Sequence, residues 1–175
     1  PEVTEIHVLE AARIFVVLGD GASACDAFVQ AGGGGVEGGR ACAAVGRRDM
    51  AMQILEPLAE QPQAAFMLGT MALERALAQV MQGERERDAA DAWRRFRACA
   101  DHFAQDPNWH NNTGRLHALD GEEQLAELAF RRAMELDPAA PYPPLNLARL
   151  LEARGERHES ALLLERVSEL GGLTA

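Results

Sequence analysis

The chain has 175 residues and 17 basic side chains, every one of them Arg, against 27 Asp and Glu. The formal net charge of -10 repels phosphate on average, which argues against general binding to nucleic acid or anionic membrane and leaves only a local basic groove open. The length suits one domain with a sizeable core, and an aromatic content of 5% in a chain dominated by Ala and Leu argues against a β-sandwich or barrel.

Read in chain order, the apolar run from Ile14 to Leu18 is flanked by Arg13 and Asp20 and falls far short of the roughly 18 residues of a membrane span. No signal peptide is visible. The chain opens at Pro1 rather than Met, which leaves room for a missing start or a removed leader. Ala12, Phe15, Gly19, Ala24, Phe28 and Ala31 mark a helix, a glycine turn and a second helix. The stretch Gly19 to Ser23 is not a phosphate loop, because it lacks GxGxxG and no Lys follows. Gly39, Gly46, Ala51, Leu55 and Leu58 repeat the phrase.

Residues 32–39 include six glycines. Glycine costs about 1 kcal/mol per helical position relative to Ala. The first helix of the second pair is therefore expected to be short, over 36–45; the alternative is that the stretch is a mobile loop or a linker. In the middle of the chain Gly69 precedes Ala92, Phe96 and Cys99, and the interval is eleven residues longer than from Gly114 to Ala126. Eleven residues are about three helical turns. Two elongated helices are expected, over 63–81 and 88–105, around a projecting charged tip at 82–87, with a stop at Asp106 and Pro107. The segment 114–138 is the clearest pair: Gly114, Gly121, Ala126, Phe130 and Ala133 stand at helical spacing, and Asp137 and Pro138 end it. Ala148, Gly155, Ser160, Leu164 and Val167 follow at the same offsets 34 residues on.

The small anchors of the second helices are thus Ala24, Ala51, Ala92, Ala126 and Ser160, separated by 27, 41, 34 and 34 residues. The mean of 34 is the period of a helix-turn-helix repeat. The residues Trp109, Gly114, His117, Gly121, Ala126, Phe130, Ala133 and Pro138, and more loosely their counterparts in the other units, resemble the tetratricopeptide repeat family. The resemblance covers nearly the whole chain as five degenerate units, 5–31, 32–61, 62–106, 107–140 and 141–175. It implies a single all-α domain over residues 1–175, a right-handed superhelix of paired helices whose first helices line the inner face.

The side chains with chemical potential give no active site. His110 and His117 are seven apart without HExxH or a Cys-rich partner, so no metal is expected, and His117 stands where the motif wants a packed aromatic. Ser23, Ser160 and Ser168 lack a GxSxG context. Cys25, Cys42 and Cys99 are odd in number and widely spaced, and are read as buried small apolar residues rather than a disulfide framework or zinc knuckle. Glu122, Glu123 and Glu127 suit a helix N-terminus. No catalytic residue and no cofactor is expected.

One pattern is left over. Eleven residues before four of the five anchors stand Arg13, Arg40, Arg115 and Arg149; in the third unit the register by Gly69 gives Thr70 instead. Asn112 and Asn146, two residues before the small residue of the first helix, resemble the groove asparagines that grip a peptide backbone in other family members; Glu10 and Glu37 replace them in units one and two. Against a reading of these Arg as exposed helix formers paired with Glu10 or Glu152 stands a cationic stripe suited to carboxylates. The resemblance then implies a non-catalytic scaffold or adaptor that takes an acidic segment or a free C-terminus of another protein or peptide in its concave groove. The alternatives are a bacterial secretion-type chaperone holding an apolar export substrate, or the repeat region of a larger enzyme or assembly factor. Neither nucleic acid nor membrane insertion is expected. The expected location is the cytoplasm, or the periplasm if a leader is missing.

Overall fold

The structure, a computed structural model, describes residues 2–171, with side chains from residue 6. Among these residues there are eleven α-helices and no strand. They are α1 (Glu2–Val17), α2 (Gly21–Gln30), α3 (Gly35–Ala44), α4 (Arg48–Leu55), α5 (Pro62–Ala78), α6 (Gln82–Ala98), the single turn α7 (Ala100–Phe103), α8 (Pro107–Leu119), α9 (Glu123–Leu136), α10 (Tyr142–Ala153) and α11 (Arg157–Glu169). A 3-10 turn, Glu56–Leu58, follows α4. The chain divides into two compact units, Pro1–Met71 and Ala72–Ala175, with the division inside α5.

Four helix pairs turn in one way. Gly19, Gly46, Gly121 and Gly155 have φ of 76°, 76°, 77° and 84°. The amide after each glycine reaches back over the last turn: Asp20 to the Phe15 carbonyl at 2.9 Å, Arg47 to Cys42 at 2.9 Å, Glu122 to His117 at 2.8 Å and Glu156 to Leu151 at 2.9 Å. This closure needs a left-handed residue, which glycine supplies without a Cβ clash. The α5–α6 pair has no such glycine and turns through residues 79–81, where Val80 and Met81 stand exposed.

The anchors are where the spacing puts them. Ala24, Ala51, Ala92 and Ala126 are fully buried, as is nearly all of Ser160. Four residues on, Phe28, Leu55, Phe96 and Phe130 are buried too, but Leu164 is exposed and Leu163 goes inside instead. Small residues on the first helices make room. A Cβ on Gly114 would lie 2.7 Å from the Phe130 ring, and one on Gly39 would lie 2.5 Å from Leu55.

The glycine tract turns through 32–34 and runs straight into the short helix expected over 36–45, found as α3 (Gly35–Ala44). Its helix begins at Gly35 and carries Gly38 and Gly39 buried inside it. Gly34 has a φ of 62° and no room for a Cβ beside the Phe28 ring; at Gly38 a Cβ would run into the Gly33 carbonyl. Close approach of backbone to the preceding helix, rather than helix propensity, explains the composition.

The cysteine expectation also needs correction. Cys25 on α2 and Cys42 on α3 form a disulfide, and only Cys99 is a free buried thiol. The two helices pack through Ala24, Ala27, Phe28 and Ala41, small enough to bring their backbones together, so the thiols that follow Ala24 and Ala41 meet.

In the middle pair the charged segment 82–87 is not a tip but the start of α6. Gln82 donates to Glu86 at 2.8 Å and Arg87 to the Gly83 carbonyl at 3.2 Å, both one turn apart, and Glu84 sits favourably in the first turn. The second helix accordingly runs over Gln82–Ala98 and continues, after a break at Cys99, as α7.

At three junctions between pairs a similar lock recurs. The second helix of one pair presents the residue one or two past its anchor to the first helix or turn of the next pair. On α2 these are Cys25, bonded to Cys42, and Asp26, paired with Arg47. On α6 it is Trp93, which stacks edge-on against His117 at 4.7 Å and donates to Asp120 at 2.7 Å. On α9 it is Glu127, which pairs with Arg154 at 2.6 Å.

Candidate functional site

The first helices carry the Arg and Asn positions, and each compact unit is considered by itself. In the first unit Arg13 pairs with Glu37 at 3.1 Å, linking α1 to α3. Arg40 is exposed and has no ion pair among the described residues. Thr70 turns its hydroxyl back to the Phe66 carbonyl on its own helix at 3.0 Å.

In the second unit Arg115 is half-buried and pairs with Glu74 at 2.9 Å, with Asn112 accepting from it at 3.5 Å. Asn112 is itself buried. Asn146 does not meet Asn112; its amide donates to the side chain of Asn111 at 2.9 Å, tying α10 to α8. Arg149, one turn beyond Asn146, is exposed and carries no ion pair among the described residues. The expected stripe of solvated guanidinium groups is therefore mixed. Arg13 and Arg115 are taken up by acids on neighbouring first helices, and neither Glu10 nor Glu152 is the partner of either. Arg40 and Arg149 keep their charge exposed.

Sequence reasoning missed Asn111 and Glu74. Asn111 lies three residues before Gly114 and is followed by a second Asn, so the offset rule selected its neighbour. Glu74 lies 41 residues before Arg115, a distance over which no single-helix rule operates.

His117 packs on Trp93 and places Nδ1 2.6 Å from Glu122, a packed ring as its motif position asks. No group of three or more His, Cys, Asp or Glu side chains among the described residues is arranged to hold a metal ion. No described helix is long and apolar enough to cross a membrane.

Besides Asp20, whose carboxyl the Ser23 hydrogen bonds lower at the start of α2, two carboxylates are held ionised by arginines. Arg154 and Arg131 donate to Glu127 and hold its carboxyl below the usual range. Burial pushes Asp91 upward, but hydrogen bonds from Arg94 and Arg95 outweigh it and leave the carboxyl lowered. Both therefore add stability that is complete above their unfolded values, near pH 4, and lost as the pH falls through the folded ones. The thermal midpoint should be flat near neutrality and fall on acidification, and Glu127→Gln should flatten that acid limb. An unchanged limb would show that the Glu127 cluster is not formed in solution.

No family model and no curated protein sequence matches the chain. Solved structures do. MamA from Desulfovibrio magneticus RS-1 is similar with a TM-score of 0.75 at 14% identity, over 95% of this chain and 94% of that one. A thermophilic TPR protein of Thermus thermophilus gives 0.72 at 17% identity, over 95% and 91%. MamA AMB-1 gives 0.66 at 18% identity, over 100% and 96%. With the repeated glycine closures and buried anchors, these likenesses establish that the chain has a tetratricopeptide-type, all-α repeat fold.

Proposed function

We propose that the chain is a non-catalytic interaction module that captures an acidic segment or C-terminal carboxylate of another protein on its first-helix face. The observation that carries this reading is Arg149, an exposed guanidinium without an ion pair among the described residues, one turn from the Asn146–Asn111 amide pair. Amides that bond one another still offer donors and acceptors to a peptide backbone, and a guanidinium fork suits a carboxylate. Arg115 contributes only when a ligand competes with Glu74. On the first unit, taken by itself, Arg40 offers the same chemistry, and Arg13 does so only when a ligand competes with Glu37. The net charge of -10 favours a protein over a nucleic acid as partner. The Cys25–Cys42 bond supports an oxidising compartment, such as the periplasm, over the cytoplasm.

The test is titration of acidic peptides, with and without a free C-terminus, against the oxidised protein. Arg149→Glu should weaken binding at least about tenfold, equal to about 1.4 kcal/mol. Glu74→Gln should strengthen it by releasing Arg115. Added salt should weaken it, since attraction in an open groove is screened over about 8–10 Å. Equal binding by Arg149→Glu and wild type would sink the reading. A second reading, a chaperone for apolar segments, is favoured by an open depression of about 380 Å³ in the first unit, lined by Val29, Met50, Ile54 and Leu58 among others. It predicts binding that salt does not weaken.

A further inference from the structure

One side of α10 is open to solvent. Pro143, Pro144, Leu147, Ala148 and Leu151 are buried. The opposite side of the helix therefore presents Tyr142, Asn146 and Arg149, spaced i, i+4 and i+7 in one stripe. Tyr142 is the only tyrosine of the chain and is 65% exposed, with no hydrogen bond or ring contact among the described residues. Thirty-four residues earlier the same place on α8 holds a polar side chain, Asn108, so the repeat does not require a ring there. Pro141 and Pro143 flank Tyr142 and fix the backbone around it, which leaves the ring two torsions to lose on contact.

Between the ring and the guanidinium lie polar groups that are incompletely used. Asn111 is 9% exposed, and its side-chain oxygen accepts from Asn146 at 2.9 Å, but its own side-chain N–H groups have no partner among the described residues. The side-chain oxygen of Asn146 likewise accepts nothing among them. A donor and an acceptor held side by side match the C=O and N–H of a peptide backbone. Arg149 lies beyond them, and Glu152, exposed three residues further on, repels a carboxylate that approaches from the far side. A ligand whose carboxylate meets Arg149 is thereby directed back along the stripe, over the amides, to Tyr142. From Tyr142 to Arg149 the helix rises about 10 Å, and an extended chain covers that distance in about three residues.

We infer that Tyr142 is a specificity-determining residue of this face, and that it takes an aromatic side chain on the fourth residue from the free C-terminus of a partner protein whose terminal carboxylate is bound by Arg149. The inference rests on the proposed reading of Arg149 and adds to it the identity of one ligand residue. A C-terminus suits the stripe better than an internal Asp or Glu. Its carboxylate continues the line of the backbone that the amides hold, whereas a side-chain carboxylate leaves that line. An aromatic ring gives the largest contact with an exposed tyrosine and adds the preferred geometry of aromatic pairs.

The experiment is titration of the oxidised 175-residue protein with acetylated hexapeptides of Ser and Gly that end in a free carboxylate. One peptide has no Phe, and the others carry one Phe at the second, third, fourth or fifth residue from that end. Phe at the fourth place should tighten binding about fivefold, and Phe elsewhere should tighten it less. Tyr142→Ser, at an exposed position and with unchanged circular dichroism, should erase that gain and leave the peptide without Phe unaffected. Tyr142→Phe should keep the gain. Amidation of the C-terminus and Arg149→Glu should each weaken every peptide. The inference is overturned if Tyr142→Ser retains the gain, if Phe gains as much at another place, or if amidation has no effect; the reading of Arg149 stands wherever Arg149→Glu still weakens binding. If Arg149→Glu binds every peptide as well as wild type, or no peptide binds, that reading falls together with the inference.

Discussion

Phe130→Ala should lower the unfolding free energy by about 3–5 kcal/mol, the range for deleting a core aromatic. The ring is 2% exposed and packs among Ala126, Leu147, Ala148 and Leu151, so it joins the fourth helix pair to the first helix of the fifth. The site cannot collapse to fill the space. Gly114 on one side has no side chain to move, and its backbone is held by the buried α8–α9 seam. The Glu127–Arg154 and Arg131–Glu159 pairs further fix the spacing of the fourth and fifth pairs. Denaturant unfolding followed by circular dichroism reads the loss. A loss under roughly 1 kcal/mol would place the ring at the surface and break the repeat register.

Reduction of Cys25–Cys42 should cost about 3 kcal/mol, the loop-closure value for a loop near its sequence separation of 17. The bond joins the first two helix pairs across a segment that includes the glycine tract, whose unfolded chain has the most freedom to lose. Unfolding curves with and without reductant should separate, and the double variant Cys25→Ala, Cys42→Ala should follow the reduced curve and ignore reductant. Thiol titration of the denatured, unreduced chain should find one thiol. Three thiols, or superimposed curves, would show that the bond is absent.

What was legible in the sequence is what local rules govern. The turn glycines at 19, 46, 121 and 155 and the small anchors are set by contacts within one helix pair, and their offsets survive sequence degeneracy. The disulfide was not legible because counting cysteines ignores which helices lie side by side; Cys25 and Cys42 are neighbours only once α2 is placed against α3. The segment 82–87 misled because charge was read as a loop signal, although Gln82 with Glu86 and Glu84 with Arg87 stand at helical spacing. The Arg offset is a pattern of the sequence, whereas Glu37 and Glu74, which pair with two of its members, lie on neighbouring helices that no single-helix rule connects. Leu164 shows the limit of the register itself. At the last anchor the position four residues on is exposed, and Leu163 takes the core in its place.

Cys99 is a free thiol buried in the second unit. Burial, opposed only in part by hydrogen bonds, pushes its thiol up to about 11, and Sγ lies 3.5 Å from the Phe96 carbonyl. At neutral pH only about one molecule in ten thousand then carries the thiolate, the form that attacks a disulfide. An odd third cysteine ordinarily offers a chain two wrong pairings and a route between them by exchange. Here the route is closed from both sides: the nucleophile is kept protonated and inaccessible, and the sulfur atoms it would attack are buried in the α2–α3 seam. Once the fold has formed, the pairing of Cys25 with Cys42 is kinetically locked.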